Sequence, residues 1–234
     1  MKHNIVSTLA IRFGMLGFFG VILAIGTAIL LQSAEVGIAN LLPISLSELG
    51  TYSRSPSALI LNGGIFFSGL TMALACLFAM QLSPKPWGAL FWITFALMFV
   101  AFAATGLFPM NVYHLHLHAI TAYISFGVLS SCYCLLYCFS MPKNERLLIM
   151  GLALTVCLIQ VTQILLPQYF AWVTGRDFTE YKVVVDSITS KPPQPAVWWQ
   201  AMLMWLSVLF NLFWLLAMLR QMSVNSASLA QNKG

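Results

Sequence analysis

The sequence predicts an all-α integral membrane protein that crosses the bilayer six times and keeps both termini in the cytoplasm. Of its 234 residues, 60% are hydrophobic and only 7% are charged, against roughly 25% charged residues in an ordinary soluble domain. Six apolar runs each approach the ~20 residues that a helix needs to cross a membrane. The whole chain is therefore predicted as a single six-helix transmembrane domain covering residues 1–234.

The predicted spans are bounded by polar, charged or proline residues, because proline lacks the N–H donor that a continuing helix needs. Pro109 is predicted to end the third span and Pro167 the fifth. The spans are placed at about 13–33, 57–82, 88–108, 115–139, 147–166 and 197–219. The first run exceeds the ~7–15 apolar residues of a signal peptide, so it is predicted to remain as an uncleaved span.

The orientation is predicted from lysine and arginine, which membrane proteins keep mainly on the cytoplasmic side. With the N-terminus inside, the inner segments carry seven basic residues: Lys2, Arg12, Lys85, Lys143, Arg146, Arg220 and Lys233. The outer loops carry four: Arg54, Arg176, Lys182 and Lys191. The net charge of +5 is spread over helix ends rather than gathered in one patch, so no nucleic-acid partner is expected.

Two of the predicted outer loops are long. In the first, at about 34–56, Ser45 and Glu48 have the spacing of a capping box, which predicts a short helix at the membrane surface. The second, at 167–196, is the most polar part of the chain. One hypothesis is that the protein is a non-catalytic scaffold or assembly factor that binds a protein partner through this loop.

Polar residues occur near the outer ends of several spans, where each is costly unless it faces the protein interior. The positions singled out as candidate ligand-binding residues are Glu48, Asn62, Thr105, His118 and Gln163. If these side chains face inward, they line a polar cavity that opens to the outside. The alternative is that they only form hydrogen bonds between helices, which membrane proteins use routinely. The sequence leaves both interpretations open.

Three histidines, His114, His116 and His118, open the fourth span. They could bind a metal, but no carboxylate or thiolate is evident at the same depth, so neither a metal site nor any cofactor is predicted. A second interpretation places His114 and His116 in the headgroup region and buries only His118. A third makes His118 the acid or base of an intramembrane lipid-modifying enzyme, with Glu48 as its partner.

The five cysteines lie inside apolar stretches, away from the outer loops where a disulfide framework would be expected. Three of them form a C-x-C-x-x-x-C run near the predicted cytoplasmic end of the fourth span: Cys132, Cys134 and Cys138. Such a run could bind a soft metal, but cysteine is also a small apolar residue that is common in buried helices. The second interpretation is favoured.

Several short segments, taken in order, resemble a known family. They are Ser45–Gly50 in the first outer loop, Leu61–Gly64 and Ser68–Gly69 in the second span, Gly106–Pro109 after the third span, and His118–Ala122 in the fourth. Their order and spacing resemble the bacterial membrane family called domain of unknown function 998. That family is itself similar to the eukaryotic FRAG/DRAM/SFK-type six-span proteins. The resemblance covers roughly residues 10–140.

The resemblance implies which positions belong to the family pattern: Glu48, Gly50, Asn62, Gly106, Pro109 and His118. It also implies a bacterial inner membrane. The eukaryotic relatives are linked to lipid remodelling and distribution, which favours membrane lipids as the partners. The leading prediction is therefore a lipid-interacting six-span protein whose outer-leaflet polar pocket is built around Asn62, His118 and Glu48.

Overall fold

The computed structural model describes residues 2–37, 44–52, 55–141, 143–174 and 199–231. Six long helices and one short helix account for most of them, and no strand occurs within these ranges. The helices are α1 (Lys2–Val36), α2 (Leu46–Leu49), α3 (Ala58–Met80), α4 (Pro86–Leu107), α5 (Tyr113–Cys138), α6 (Lys143–Thr174) and α7 (Trp199–Gln231). A 3₁₀ turn, Met110–Val112, joins α4 to α5. The predicted all-α class with six long helices is confirmed.

Each long helix is apolar enough and long enough to cross a membrane. Along the chain, each packs mainly against the next long helix, and α1 closes the arrangement by packing against α7. Large apolar side chains remain exposed on the outside of this bundle, including Leu23 and Leu30 of α1 and Leu59 and Phe67 of α3. A surface of this kind suits lipid rather than water, so the chain is a multi-pass membrane protein.

Close helix contacts in the bundle are made where side chains are smallest. A β-carbon added at Gly64 would meet that of Ala24 in α1, and one added at Gly69 would meet the backbone of Ala103 in α4. Glycine allows such approaches because it has no side chain, and van der Waals packing drives helix association in lipid. These glycines therefore set how near α3 lies to its two neighbours.

An aromatic cluster fills the bundle interior in the half that holds the first turns of α4. Phe91 and Phe95 of α4 stack on each other at 5.2 Å between ring centroids, and both contact Trp214 of α7. Phe91, Phe95 and Trp214 are fully buried. Aromatic rings therefore fill the interior of this half of the bundle.

The opposite end of the bundle, here called the α2 end, is covered by the α2 segment (residues 44–52 and 55–57). The predicted capping box is confirmed: the Ser45 hydroxyl accepts a hydrogen bond from the Glu48 N–H, and the Glu48 carboxylate accepts one from the Ser45 N–H at 2.9 Å. The four-residue helix is buried on the bundle. A helix of only four residues is held by such caps and tertiary contacts, because it has almost no internal hydrogen bonding.

One predicted boundary is wrong. Pro167 does not end α6, because the helix continues to Thr174. Proline removes the N–H that would bond to the carbonyl four residues earlier, at Gln163, but it does not force the chain to stop. The predicted loop 167–196 therefore begins with two further helical turns, and its part from 175 to 196 lies outside the described residues.

Candidate functional site

A cavity lies at the α2 end, between the α2 segment and helices α3 to α7. Its apolar lining includes Leu46, Ile65, Phe102, Ile120, Met204 and Val208. Its polar lining consists of six side chains: Ser47, Asn62, Thr105, His116, Tyr123 and Gln163. These polar residues come from α2, α3, α4, α5 and α6, so several spans bring uncharged polar groups to one cavity.

His116 is the centre of the polar lining. The side chain is only 5% exposed, and it joins two other parts of the fold. Its Nδ1 lies 2.7 Å from the carbonyl oxygen of Phe108, just after α4, and its Nε2 lies 3.0 Å from Ser47 Oγ in α2. A carbonyl oxygen can only accept, so Nδ1 carries a proton; in the neutral ring Nε2 then accepts from the Ser47 hydroxyl.

Asn62 and Thr105 bind backbone groups beside the cavity. The Asn62 Nδ2 donates to the carbonyl oxygen of Gly50 at 2.7 Å, and the Asn62 side chain is buried. The Thr105 hydroxyl donates to the carbonyl of Phe102, one turn earlier in its own helix, at 2.7 Å. Asn62 therefore fastens the α2 segment to α3, whereas Thr105 contributes an oxygen to the cavity wall without joining two elements.

Gln163 contributes a donor that has no partner. Its Nε2 is buried from solvent and forms no hydrogen bond with any described residue, although the side chain lines the cavity. One turn deeper on α6, both polar atoms of the fully buried Gln160 also lack a partner, and its amide packs against Gly127 of α5. An unsatisfied buried polar group costs about 1–3 kcal/mol, so these amides favour water or a polar ligand nearby.

A hydrogen-bonded cluster continues from the cavity into the bundle. The Asn211 Nδ2 donates to the Tyr123 hydroxyl at 2.7 Å and to the Ser207 carbonyl at 2.8 Å. The hydroxyls of Tyr123 and Ser207 are 3.1 Å apart. The Asn211 Oδ1 is buried without a partner. The cluster joins α5 to α7 and continues the polar surface of the cavity from Tyr123 towards the middle of the bundle.

The size of the cavity limits what it can hold. The cavity volume is about 30 Å³, whereas a cavity for one water needs roughly 10–15 Å³. The cavity therefore holds a few waters or one small polar group. A whole lipid headgroup does not fit without movement of the α2 segment or of the helices around it.

The structure brings together only part of the predicted site. Asn62, Thr105 and Gln163 line the cavity, but His118 does not. The prediction that His118 is the buried histidine is wrong: its side chain is exposed, and its Nδ1 bonds to the carbonyl of His114 in the same helix. Glu48 is buried beside the cavity, where its carboxylate completes the α2 capping box.

The three histidines do not share one face of α5: His114 and His118 are one turn apart and lie on the same face, whereas His116 lies on another. His114 and His118 are exposed, and only His116 faces the interior. Throughout the described ranges, no three histidine, cysteine, aspartate or glutamate side chains are grouped so that they could hold a metal. The five cysteines are free thiols.

The sequence interpretation missed Ser47, His116 and Tyr123. A signal existed for the last two, since they lie seven residues apart and Gly127 follows at the next turn of the same helix face. His118 heads an equally polar face with Thr121 and Ser125. The fourth span thus carries two polar faces, and its sequence does not show which of them meets the other helices.

Comparisons with family models, with curated protein sequences and with solved structures give no match to this chain. The resemblance to domain of unknown function 998 therefore stays a prediction. So does the protein-binding role of loop 167–196, most of which lies outside the described residues. What the fold establishes is a six-span membrane protein.

Proposed function

We propose that this protein interacts with membrane lipids and that the cavity at the α2 end holds an uncharged polar group of a lipid. The observation that carries the proposal is Gln163, whose side chain lines the cavity and whose buried Nε2 has no hydrogen-bond partner among the described residues. A bound oxygen atom would satisfy this donor. Such an atom would enter from the bilayer, because the outer surface of the surrounding helices is apolar.

The lining restricts the chemistry of the ligand. Among the described residues that line the cavity there is no lysine, arginine, aspartate or glutamate. None of them therefore compensates a buried phosphate or ammonium group, and burying such a charge is costly. A hydroxyl, ester or amide fits this lining. We therefore assign the cavity to the ester and hydroxyl region of a lipid, with the charged part of the headgroup outside.

The depth of the cavity agrees with that assignment. His116 lies one turn from the start of α5, about 5 Å along the helix axis. Lipid ester groups occupy the boundary between the headgroups and the ~30 Å hydrocarbon core. The proposal includes the predicted orientation: the α2 end faces the outside, and both termini lie in the cytoplasm of a bacterial cell, consistent with the excess of basic residues in the inner segments.

Native mass spectrometry of the protein released from lipid nanodiscs tests the proposal. The wild type should retain a defined lipid class, and Gln163→Leu, which removes the unpaired donor at similar size, should retain less of it. His118→Ala is the matched control, because it changes a polar residue that does not line the cavity, and it should behave as the wild type. An identical, unselective lipid mixture on wild type and Gln163→Leu would contradict the proposal.

A further inference from the structure

The hydrogen bonds of His116 have the direction that nucleophilic catalysis requires. Nδ1–H is held by the Phe108 carbonyl, so the ring is fixed in orientation and in tautomer. The lone pair of Nε2 then faces Ser47 Oγ at 3.0 Å. A hydroxyl that donates to an oriented imidazole is an activated nucleophile, since the imidazole can take its proton as the new bond forms.

We propose that Ser47 and His116 form a nucleophile and base pair that cleaves a carboxylic ester of a membrane-dissolved lipid. The inference rests on the proposed function, because it uses the same cavity and the same class of ligand. Both side chains line the cavity and both are nearly buried, at 6% and 5% exposure. The pair is thus placed where an ester carbonyl would lie and where bulk water is largely excluded.

The reaction balances with water as the only co-reactant. Ser47 Oγ bonds to the carbonyl carbon while its proton passes to His116 Nε2. The bond from that carbon to the alcohol oxygen then breaks, and the proton passes from Nε2 to the departing alcohol. A water molecule next attacks the acyl group on Ser47, giving its proton to Nε2. The bond between the acyl carbon and Ser47 Oγ then breaks, the proton passes from Nε2 to Oγ, and the carboxylic acid leaves.

The cavity also supplies groups for the other requirements of this reaction. The carbonyl oxygen becomes negatively charged in the tetrahedral intermediate, and a preorganised donor stabilises that charge. Gln163 lines the same cavity, and its Nε2 is a donor without a partner among the described residues. Once the alcohol has left, the space that it occupied can take the water that completes the cycle.

A purely structural role for the hydrogen bonds of His116 would explain part of this geometry, because they also connect the α2 segment and the end of α4 to α5. The two roles differ in what they require of the side chain. The structural role needs only a hydrogen-bonding group at position 116, and the Ser47 hydroxyl has the Met204 sulfur, 3.9 Å away, as another acceptor. Proton transfer needs a basic nitrogen at the position of Nε2.

A fluorophosphonate with a long alkyl chain distinguishes these roles, because it partitions into the membrane and forms a covalent bond with activated serines. The full chain in nanodiscs would be treated with the probe, digested and mapped by mass spectrometry. We expect modification at Ser47 in the wild type and none at that position in Ser47→Ala. Ser55→Ala is the control, since Ser55 is a buried serine of the same segment that bonds to Ser57.

His116→Asn separates the base from the fastening bond. An asparagine amide can still donate to the Phe108 carbonyl, but it offers no base, so labelling of Ser47 should slow by about 100-fold or more while thermal stability stays close to the wild type. Absence of probe on Ser47 in the folded wild type overturns the proposal, as does an unchanged labelling rate in His116→Asn. If Ser47 is unlabelled but a lipid is still selectively retained through Gln163, the binding function stands and only the chemistry fails.

Discussion

The contact between Gly69 of α3 and the backbone of α4 provides a direct test of how the bundle packs. A β-carbon at Gly69 would lie 2.8 Å from the Ala103 backbone nitrogen and 2.9 Å from its Cα. Ordinary van der Waals contact begins at 3.4 Å, so α4 would have to move away by about 0.6 Å (3.4 − 2.8). No side-chain rotation can relieve the clash, because the opposing atoms are the backbone of Ala103 and its Cβ, which is fixed by the backbone.

Gly63→Ala is the matched control, because Gly63 is in the same helix and an added β-carbon there meets nothing within 4 Å. Alanine favours a helix over glycine by about 1 kcal/mol at either position. This gain cancels in the comparison of the two variants. The difference between them therefore isolates the overpacking cost, about 1–3 kcal/mol.

Thermal unfolding in one detergent, followed by tryptophan fluorescence, measures that difference. Each kcal/mol corresponds to roughly 2–4 °C in Tm for a chain of this size. Gly69→Ala should therefore unfold at least a few degrees below Gly63→Ala. Equal Tm values for the two variants would refute the reasoning, because they would show that α3 and α4 do not meet at Gly69 and Ala103.

Two further predictions concern hydrogen bonds around the cavity. Asn62→Ala should leave the Gly50 carbonyl buried without its partner, at a cost of about 1–3 kcal/mol. Hydrogen exchange in the α2 segment should therefore become faster while the long helices stay protected, and unchanged exchange would show that Asn62 does not hold the segment. Tyr123→Phe should lose the hydrogen bonds to Ser207 and Asn211 and lower the free energy of unfolding by about 0.6–1.7 kcal/mol, which would be measured as a decrease in Tm. A variant as stable as the wild type would show that the cluster does not join α5 to α7.

The number and type of the long helices follow from hydropathy, and the start of α2 follows from a local pattern. In the capping box, Ser45 and Glu48 satisfy each other's backbone N–H groups within one helical turn. Such a pattern depends only on residues near one another in the sequence. The continuation of α6 through Pro167 does not follow from such a local pattern, because proline removes one backbone hydrogen bond but does not force the helix to end.

The sequence alone does not decide which of His116 and His118 faces the bundle interior. Both lie near the start of α5, and each heads a face that carries further polar residues. The hydrophobic pattern does not separate the two faces, because in lipid the exposed face of a helix is as apolar as the buried one. The inward face of α5 is known only once α4, α6 and α7 are in place around it.

Composition, span length and charge distribution were thus sufficient to predict an all-α six-span protein, since transfer into lipid acts on each span separately. The candidate site required contacts between residues far apart in the chain: Ser47 with His116, Asn62 with Gly50, and Tyr123 with Asn211. Tertiary packing decided these contacts. Each depends on the rotation and depth of two helices or segments, which no single stretch of sequence specifies.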